Sequence, residues 1–269
     1  MTTWKVTCIQ YDVVYGDPDA NYARVEELIE EAMQDKPDVI VLPELWTIGY
    51  DLERLSEIAE QDAERCKAFL SETAKRHNVH LVGGSTAKQN DEGVYNTMLV
   101  YDRTGKQVSE YDKAHLITLM DEHIHLKSGS EAAEFKLDEV KSAGVICYDI
   151  RFPEWIRAHM SGRADVLFVV AEWPVERLEH WRALLIARAI ENQCWVIACN
   201  RSGTDPDHDF TGHSMIIGPW GDIVAEAGKS ETLLTAQIDL TETQKARKQI
   251  PVFDDRRPEL YFYEDKISK

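Results

Sequence analysis

Apolar positions in this 269-residue chain fall into two kinds of run, which alternate almost from end to end. WKVTCIQYD (4–12) alternates apolar and polar residues and reads as a strand, whereas DANYARVEELIEEAMQ (19–34) carries its apolar residues at helical spacing, with Asp17 or Asp19 placed to cap it. KPDVIVLPE (36–44) is short and continuously apolar, the pattern of a strand in a sheet covered by helices. The alternation then repeats. A helix is predicted over 62–78 and a strand over 79–88, and the strands at 93–102 and 106–113 pair across the turn Arg103-Thr104-Gly105.

A polar, histidine-containing stretch covers 114–131. Beyond it the pattern predicts strands within 134–149, a helix at 152–162, a buried strand at 164–174 and a long helix at 177–193. CWVIACNRSG (194–203), a hairpin from HSMIIGPWG and DIVAEAG, and the strand TLLTAQIDL follow. From about residue 241 an extended tail is expected. No repeat, linker or low-complexity tract breaks the series, so residues 1–269 read as one layered α/β domain.

Composition narrows the function. Forty-eight acidic against thirty basic residues give a formal charge of -18, which argues against a nucleic-acid partner. No apolar run reaches the roughly 18 residues of a membrane span, and MTTWKVTCIQYD has no signal-peptide pattern, so a cytoplasmic protein is expected. The five cysteines, Cys8, Cys66, Cys147, Cys194 and Cys199, are odd in number, unevenly spaced and without a CxxC pair. No histidine cluster has the spacing of a closed zinc site. Four of the cysteines lie inside predicted strands or a helix and read as inert core residues.

Cys147 differs, because GVICYDIRFPE (144–154) turns from apolar to charged directly after it. In α/β folds, sites gather beyond the carboxyl ends of strands. Glu44 after DVIVLP and Lys113 after VSEYD hold comparable places. Each residue alone reads more readily as a solvated strand end or a core thiol. Together they supply a nucleophile, a carboxylate to take its proton, and a cation for an oxyanion.

The motifs VIVLPELW, YDKAHL and GVICYDIRFPE, in this order, resemble those of the nitrilase superfamily, and the resemblance runs from the first strand to RRPELY near residue 260. It implies a four-layer α-β-β-α sandwich with Glu44 as general base, Lys113 as oxyanion stabiliser and Cys147 as nucleophile, joined by the Tyr148 backbone N–H. It further implies a second glutamate. Glu122, seven residues before Gly129, takes that role, with Asp121 and Glu131 as neighbouring alternatives. Two departures stand out: Ser128-Gly129 replaces the usual Pro-Gly, and Glu172 stands where related enzymes often carry Asn.

CYDIRFPE, AEWP (171–174) and ARAIENQCWVIACNRSG (187–203) are most similar to the omega-amidase branch. That implies hydrolysis of the terminal amide of 2-oxo-dicarboxylic acid monoamides, with no metal or organic cofactor. A substrate carboxylate asks for an arginine: Arg151, Arg177 and Arg201 are available, Arg177 is favoured, and Trp173 is a candidate pocket wall. Asn96 and Asn200 could hydrogen-bond within the site or organise turns, and the structural role is favoured. The resemblance also implies a homo-oligomer, with a dimer favoured and contacts through 152–162 and 177–193, where Trp155, Ile156 and Trp181 lie. The rival readings are an N-carbamoyl amide hydrolase with the same triad and, in another class, an inactive binding or scaffold protein.

Overall fold

The computed structural model describes residues 2–261. Strand β1 (Thr3–Gln10) leads to helix α1 (Pro18–Ala32). Asp17 caps this helix by accepting the Ala20 N–H at 3.0 Å, and Pro18 opens it, where a missing N–H costs nothing. Strand β2 (Val39–Val41) is shorter than its apolar run predicts. Lys36, left-handed at φ 51°, ends the turn before it, and Pro43 beyond it has no N–H for the ladder.

A short helix α2 (Leu55–Ile58) and strand β3 (Glu60–Gln61) precede α3 (Glu64–His77), β4 (His80–Asn90), β5 (Gly93–Tyr101) and β6 (Gln107–Asp112). One turn of helix, α4 (Glu122–His125), interrupts the polar stretch. Next come β7 (Glu134–Leu137), β8 (Val140–Ile146), α5 (Pro153–His159), β9 (Val166–Ala171), α6 (Leu178–Asn192) and β10 (Trp195–Asn200). The small pair β11 (Ser202–Thr204) and β12 (Asp209–Thr211), the hairpin β13 (Met215–Ile217) and β14 (Ile223–Glu226), and β15 (Thr232–Asp239) complete the strands of the described residues.

The segment from residue 241 corrects the sequence expectation: it opens as helix α7 (Thr241–Gln249) and not as extended chain. Asp239 accepts the Thr241 N–H at 2.9 Å, while Thr243 and Ala246, three positions apart, are buried. Arg247 ties the helix to Asp165 at 2.9 Å. Two small buried residues among charges leave too faint an apolar stripe to read as helical.

Two six-strand paths make the sheets, β15-β1-β2-β4-β5-β6 and β14-β13-β10-β9-β8-β7, with β3 attached to β4. In each, three parallel strands are flanked by antiparallel ones: β1, β2 and β4 in the first, β8, β9 and β10 in the second. Alternation along β1 divides its side chains: Val6 and Cys8 join a core shared with Val145, Val169 and Ile197 of the second sheet, and Ile9 joins Val25 and Ile29 of α1 and Leu70 of α3. Helices α5 and α6 cover the far face through Ile156, Trp181, Leu185 and Ala189. The layers are therefore α-β-β-α, as expected. β9 and β10 are buried along their whole length, which explains their unbroken apolar sequence. Cys8, Cys66, Cys194 and Cys199 are all buried in these cores. Among the described residues no helix is long and apolar enough to cross a membrane.

Candidate active site

The sandwich brings together strand ends that are far apart in sequence. Glu44 lies just past β2, Lys113 directly follows β6, Cys147 directly follows β8, and Glu122 opens α4. Lys113 Nζ donates to Glu44 Oε1 at 2.8 Å and to Glu122 Oε1 at 2.6 Å, and all three residues are 0% exposed. Glu44 accepts two further bonds, from Asn96 Nδ2 to Oε1 and from the Glu172 N–H to Oε2, both at 2.8 Å. Glu122 accepts the Tyr50 hydroxyl at 2.7 Å on Oε1 and the Ile117 N–H at 2.8 Å on Oε2. Asp121 and Glu131, the other acids of that stretch, are exposed.

Charge and burial compete here. Burial opposes a charged Lys113, but the carboxylates of Glu122 and Glu44 outweigh it and hold its pKa well above the ordinary lysine range. Burial, and then Glu44, push the Glu122 carboxyl up against the pull of Lys113. Burial likewise raises the Tyr50 phenol, with Glu122 and Glu44 adding to it, so Tyr50 remains a donor.

Cys147 is 8% exposed and has φ 44°, the left-handed region that side chains other than glycine occupy at a cost of about 1–3 kcal/mol. It opens a 3₁₀ turn, Cys147–Arg151, that buried Asp149 fixes. Asp149 accepts the Ile146 N–H at 3.1 Å, the Tyr111 hydroxyl at 2.7 Å and the His115 N–H at 3.0 Å. Tyr148 follows in this turn, where first-turn N–H groups have no acceptor within the turn itself. Burial, then the Glu44 carboxylate, hold the Cys147 thiol well above its ordinary pKa, with Lys113 pulling the other way. At rest the sulfur is therefore a neutral thiol near the Glu44 carboxylate.

Glu172, the departure from the family pattern, faces Arg201. Its Oε2 accepts Arg201 Nη1 at 3.1 Å, both side chains are buried, and Oε1 has no partner among the described residues. Burial pushes its pKa up to about 8, Arg201 opposes this, and Glu44 adds to it. Arg201 also donates to the Val13 carbonyl at 2.8 Å and lies 4.2 Å over the Phe210 ring. It is a structural cation. Trp173 is buried beneath the Arg151 guanidinium, and Arg177 lines a cavity with Arg151 and Tyr148. A roomier cavity of about 730 Å³, between α5 and the C-terminal segment, contains none of the three strand-end residues.

One expectation needs correcting. Asn96 lies within β5, not in a turn, and bonds Glu44 directly. Its signal was hidden because pairing of β5 with β6 aligns it with the strand end that carries Lys113, whose N–H donates to the Asn96 carbonyl at 2.9 Å. Asn200 is structural as expected, though at a strand end: it accepts the Trp173 N–H at 2.7 Å. His115 stacks on Phe152 and bonds Asp149, and His123 is exposed.

A four-layer sandwich with a glutamate, a lysine and a cysteine converging at its strand ends is the architecture of nitrilase-superfamily hydrolases. The carbon-nitrogen hydrolase family model matches residues 5–248, and the chain belongs to that family: it is an enzyme that cleaves amides by hydrolysis. It is 54% identical over 96% of its length to the 2-oxoglutaramate amidase of Bacillus subtilis (strain 168), covering 99% of that protein. To the omega-amidase YafV of Escherichia coli (strain K12) it is 35% identical over 93% of this chain and 96% of that one. The crystal structure of XC1258 from Xanthomonas campestris, a CN-hydrolase superfamily protein with an arsenic adduct in its active site, matches with a TM-score of 0.90 at 28% identity, covering 96% of this chain and 98% of that one.

Proposed function

We propose that the chain is an omega-amidase: a single catalytic domain that hydrolyses the terminal amide of 2-oxo-dicarboxylic acid monoamides, 2-oxoglutaramate and 2-oxosuccinamate, to the acid and ammonia. Likeness to the Bacillus subtilis amidase over nearly the whole chain supports the substrate class. The observation that carries the chemistry is Lys113, held between Glu44 and Glu122 beside Cys147.

Glu44 takes the thiol proton as sulfur attacks the amide carbon, so the sulfur never carries a full charge in its buried setting. The tetrahedral oxyanion is met by Lys113 and the Tyr148 N–H, charge-assisted donors fixed before the reaction starts. Glu44 returns the proton to nitrogen as the C–N bond breaks and ammonia departs, leaving a thioester on Cys147. Water then gives a proton to Glu44 and attacks the thioester, and Glu44 returns that proton to sulfur as the C–S bond breaks and the acid is released. Glu122 acts on Lys113, keeping it charged and aimed.

The same reading takes the working unit as a homodimer in the cytoplasm, where the five free thiols stay reduced. Ile156 and Trp181, expected at the contact, are used in this chain's own core, whereas Ile190 of α6 and the nearby Trp220, Ile223 and Val224 are exposed. Sedimentation of the wild type against Ile190→Glu tests the contact.

The activity test is ammonia release from 2-oxoglutaramate and 2-oxosuccinamate by wild type and Cys147→Ala. Turnover that vanishes in the variant is expected. A folded wild type inert toward both compounds sinks the substrate class, and N-carbamoyl amides, which release CO2 with ammonia, become the next substrates to try.

A further inference from the structure

We propose that Arg201 is a positioning residue for the reaction: through Glu172 it fixes Glu44, and through Gly49 it steadies Tyr50, the partner of Glu122. The proposal rests on the reading of Glu44 as the base that takes the Cys147 proton, and adds what keeps that carboxylate in place.

Arg201 directly follows β10 and is 0% exposed. Its guanidinium reaches strand ends of both sheets. Nη2 donates to the carbonyl of Val13, past β1, at 2.8 Å and to that of Thr204, in β11, at 3.2 Å. Nη1 donates to Oε2 of Glu172, directly after β9, at 3.1 Å and to the carbonyl of Gly49, past β2, at 3.4 Å. Nε meets the Ser202 carbonyl and Nη2 the Asp12 carboxylate, both at 3.3 Å. β1 and β2 belong to the first sheet, β9 and β10 to the second, so one side chain spans the seam. The backbone is tied there as well, with the Ser202 N–H donating to the Tyr11 carbonyl at 3.0 Å.

Two short connections lead from this cation to the acids that flank Lys113. Glu172, whose side chain Arg201 holds, donates its own N–H to Glu44 Oε2 at 2.8 Å. Asn96 and Lys113, the donors to Glu44 Oε1, both come from the first sheet. The Glu172 N–H is thus the bond that fixes the base against the second sheet, from which Cys147 extends. On the other side, Gly49 precedes Tyr50, whose hydroxyl donates to Glu122 at 2.7 Å. A lysine would not reproduce this, because its donors share a single atom whereas the arginine fork is planar and points several ways.

Packing alone does not account for Glu172. Its Oε1 is buried with no partner among the described residues, an arrangement that folded proteins rarely keep. An apolar side chain would fill a purely structural place at less cost. The bond to Arg201 explains the acid, since it anchors the residue whose N–H Glu44 accepts.

The test compares Arg201→Lys, Arg201→Met, Glu172→Gln and Glu172→Leu with wild type, through ammonia release from 2-oxoglutaramate. Arg201→Met and Glu172→Leu should each lower kcat roughly 10- to 100-fold, the scale of a displacement of about an ångström, while KM moves less than about threefold. Glu172→Gln keeps an oxygen for Arg201 and should recover most of the loss. Burial pushes the Glu172 pKa up to about 8, so at neutral pH the uncharged amide is a fair substitute. Arg201→Lys should recover little. In the double variant Arg201→Met/Glu172→Leu the two losses should not multiply, because both cut one connection.

A second readout needs no amide substrate: the rate at which iodoacetamide alkylates Cys147, followed by mass spectrometry of its peptide. Here the C–S bond forms as the C–I bond breaks, iodide leaves, and Glu44 takes the thiol proton. The rate should fall about tenfold in Glu172→Leu and return in Glu172→Gln.

Folded variants whose kcat and alkylation rate stay within about twofold of wild type overturn the proposal, as does a Glu172→Gln no better than Glu172→Leu. Should Arg201→Met fail to fold, the two Glu172 variants decide the matter, since they leave the carbonyl bonds of Arg201 in place. A wild type inert toward 2-oxoglutaramate, with alkylation rates that still follow this order, overturns the omega-amidase reading alone and leaves the positioning role standing.

Discussion

Lys113 lies closer to Glu122 than to Glu44, at 2.6 Å against 2.8 Å. With no exposed atom on any of the three, the lysine charge is the counter-ion for two carboxylates that water does not reach. Lys113→Met should therefore lower stability by about 3–5 kcal/mol, because it leaves carboxylates facing each other without a cation. Urea denaturation followed by circular dichroism measures this. A variant as stable as wild type would show that the buried cluster carries no net charge needing Lys113.

Removing one hydrogen bond to that cluster should be milder. Tyr50→Phe deletes the hydroxyl that Glu122 accepts at 2.7 Å and keeps the ring. A loss of about 1.5–3 kcal/mol is expected, the scale of a bond to a charged group. If Glu122 acts through Lys113, kcat should fall with it while KM hardly moves. An unchanged kcat would confine Tyr50 to a structural part.

The left-handed backbone of Cys147 gives an unusual mutational order. Replacement by alanine or glycine should abolish turnover in either case, but at φ 44° glycine loses the steric penalty that alanine keeps. Cys147→Gly should be more stable than Cys147→Ala by about 1 kcal/mol, the reverse of the order at an ordinary site. Paired urea curves decide it; the ordinary order would mean that the strain is absent in solution.

Glu172 links stability to pH. Its folded pKa, about 8, is raised above the ordinary carboxylate value of 4.5, so the folded state holds a proton that the unfolded chain releases. Its contribution is fully present below pH 4.5 and is lost as pH climbs through about 8. Glu172→Gln should flatten the fall of Tm between those limits. Parallel wild-type and variant curves across the range would show that Arg201 keeps the carboxylate ionised.

Glu44, Lys113 and Cys147 could be picked out because each stands at the end of a predicted strand, and they gained meaning only as a set. Glu122 came only through the family resemblance, since a four-residue helix in a polar stretch carries no periodic signal. Asn96 and Tyr50 carry only a weak signal in the sequence for a related reason. Their partners lie 52 and 72 positions away, and only sheet pairing and loop closure bring them into contact. A layered α/β sandwich could be read from the alternation of patterns and its four layers from the family resemblance, whereas strand order depends on contacts between segments distant in the chain. Helix α7 escaped notice because its buried stripe is two small residues wide.

Glu44 and Lys113 hang from the first sheet, Cys147 and Glu172 from the second, and the shared core lies between. These side chains thus meet only while the two halves of the sandwich are clamped in one registry. A slip of about an ångström at that seam costs on the order of a hundredfold in rate, though every helix and ladder survives it. Ammonia release is consequently expected to gauge the dry interior: in a swollen form that keeps its secondary structure, catalysis should be the first property to disappear and the last to return on refolding.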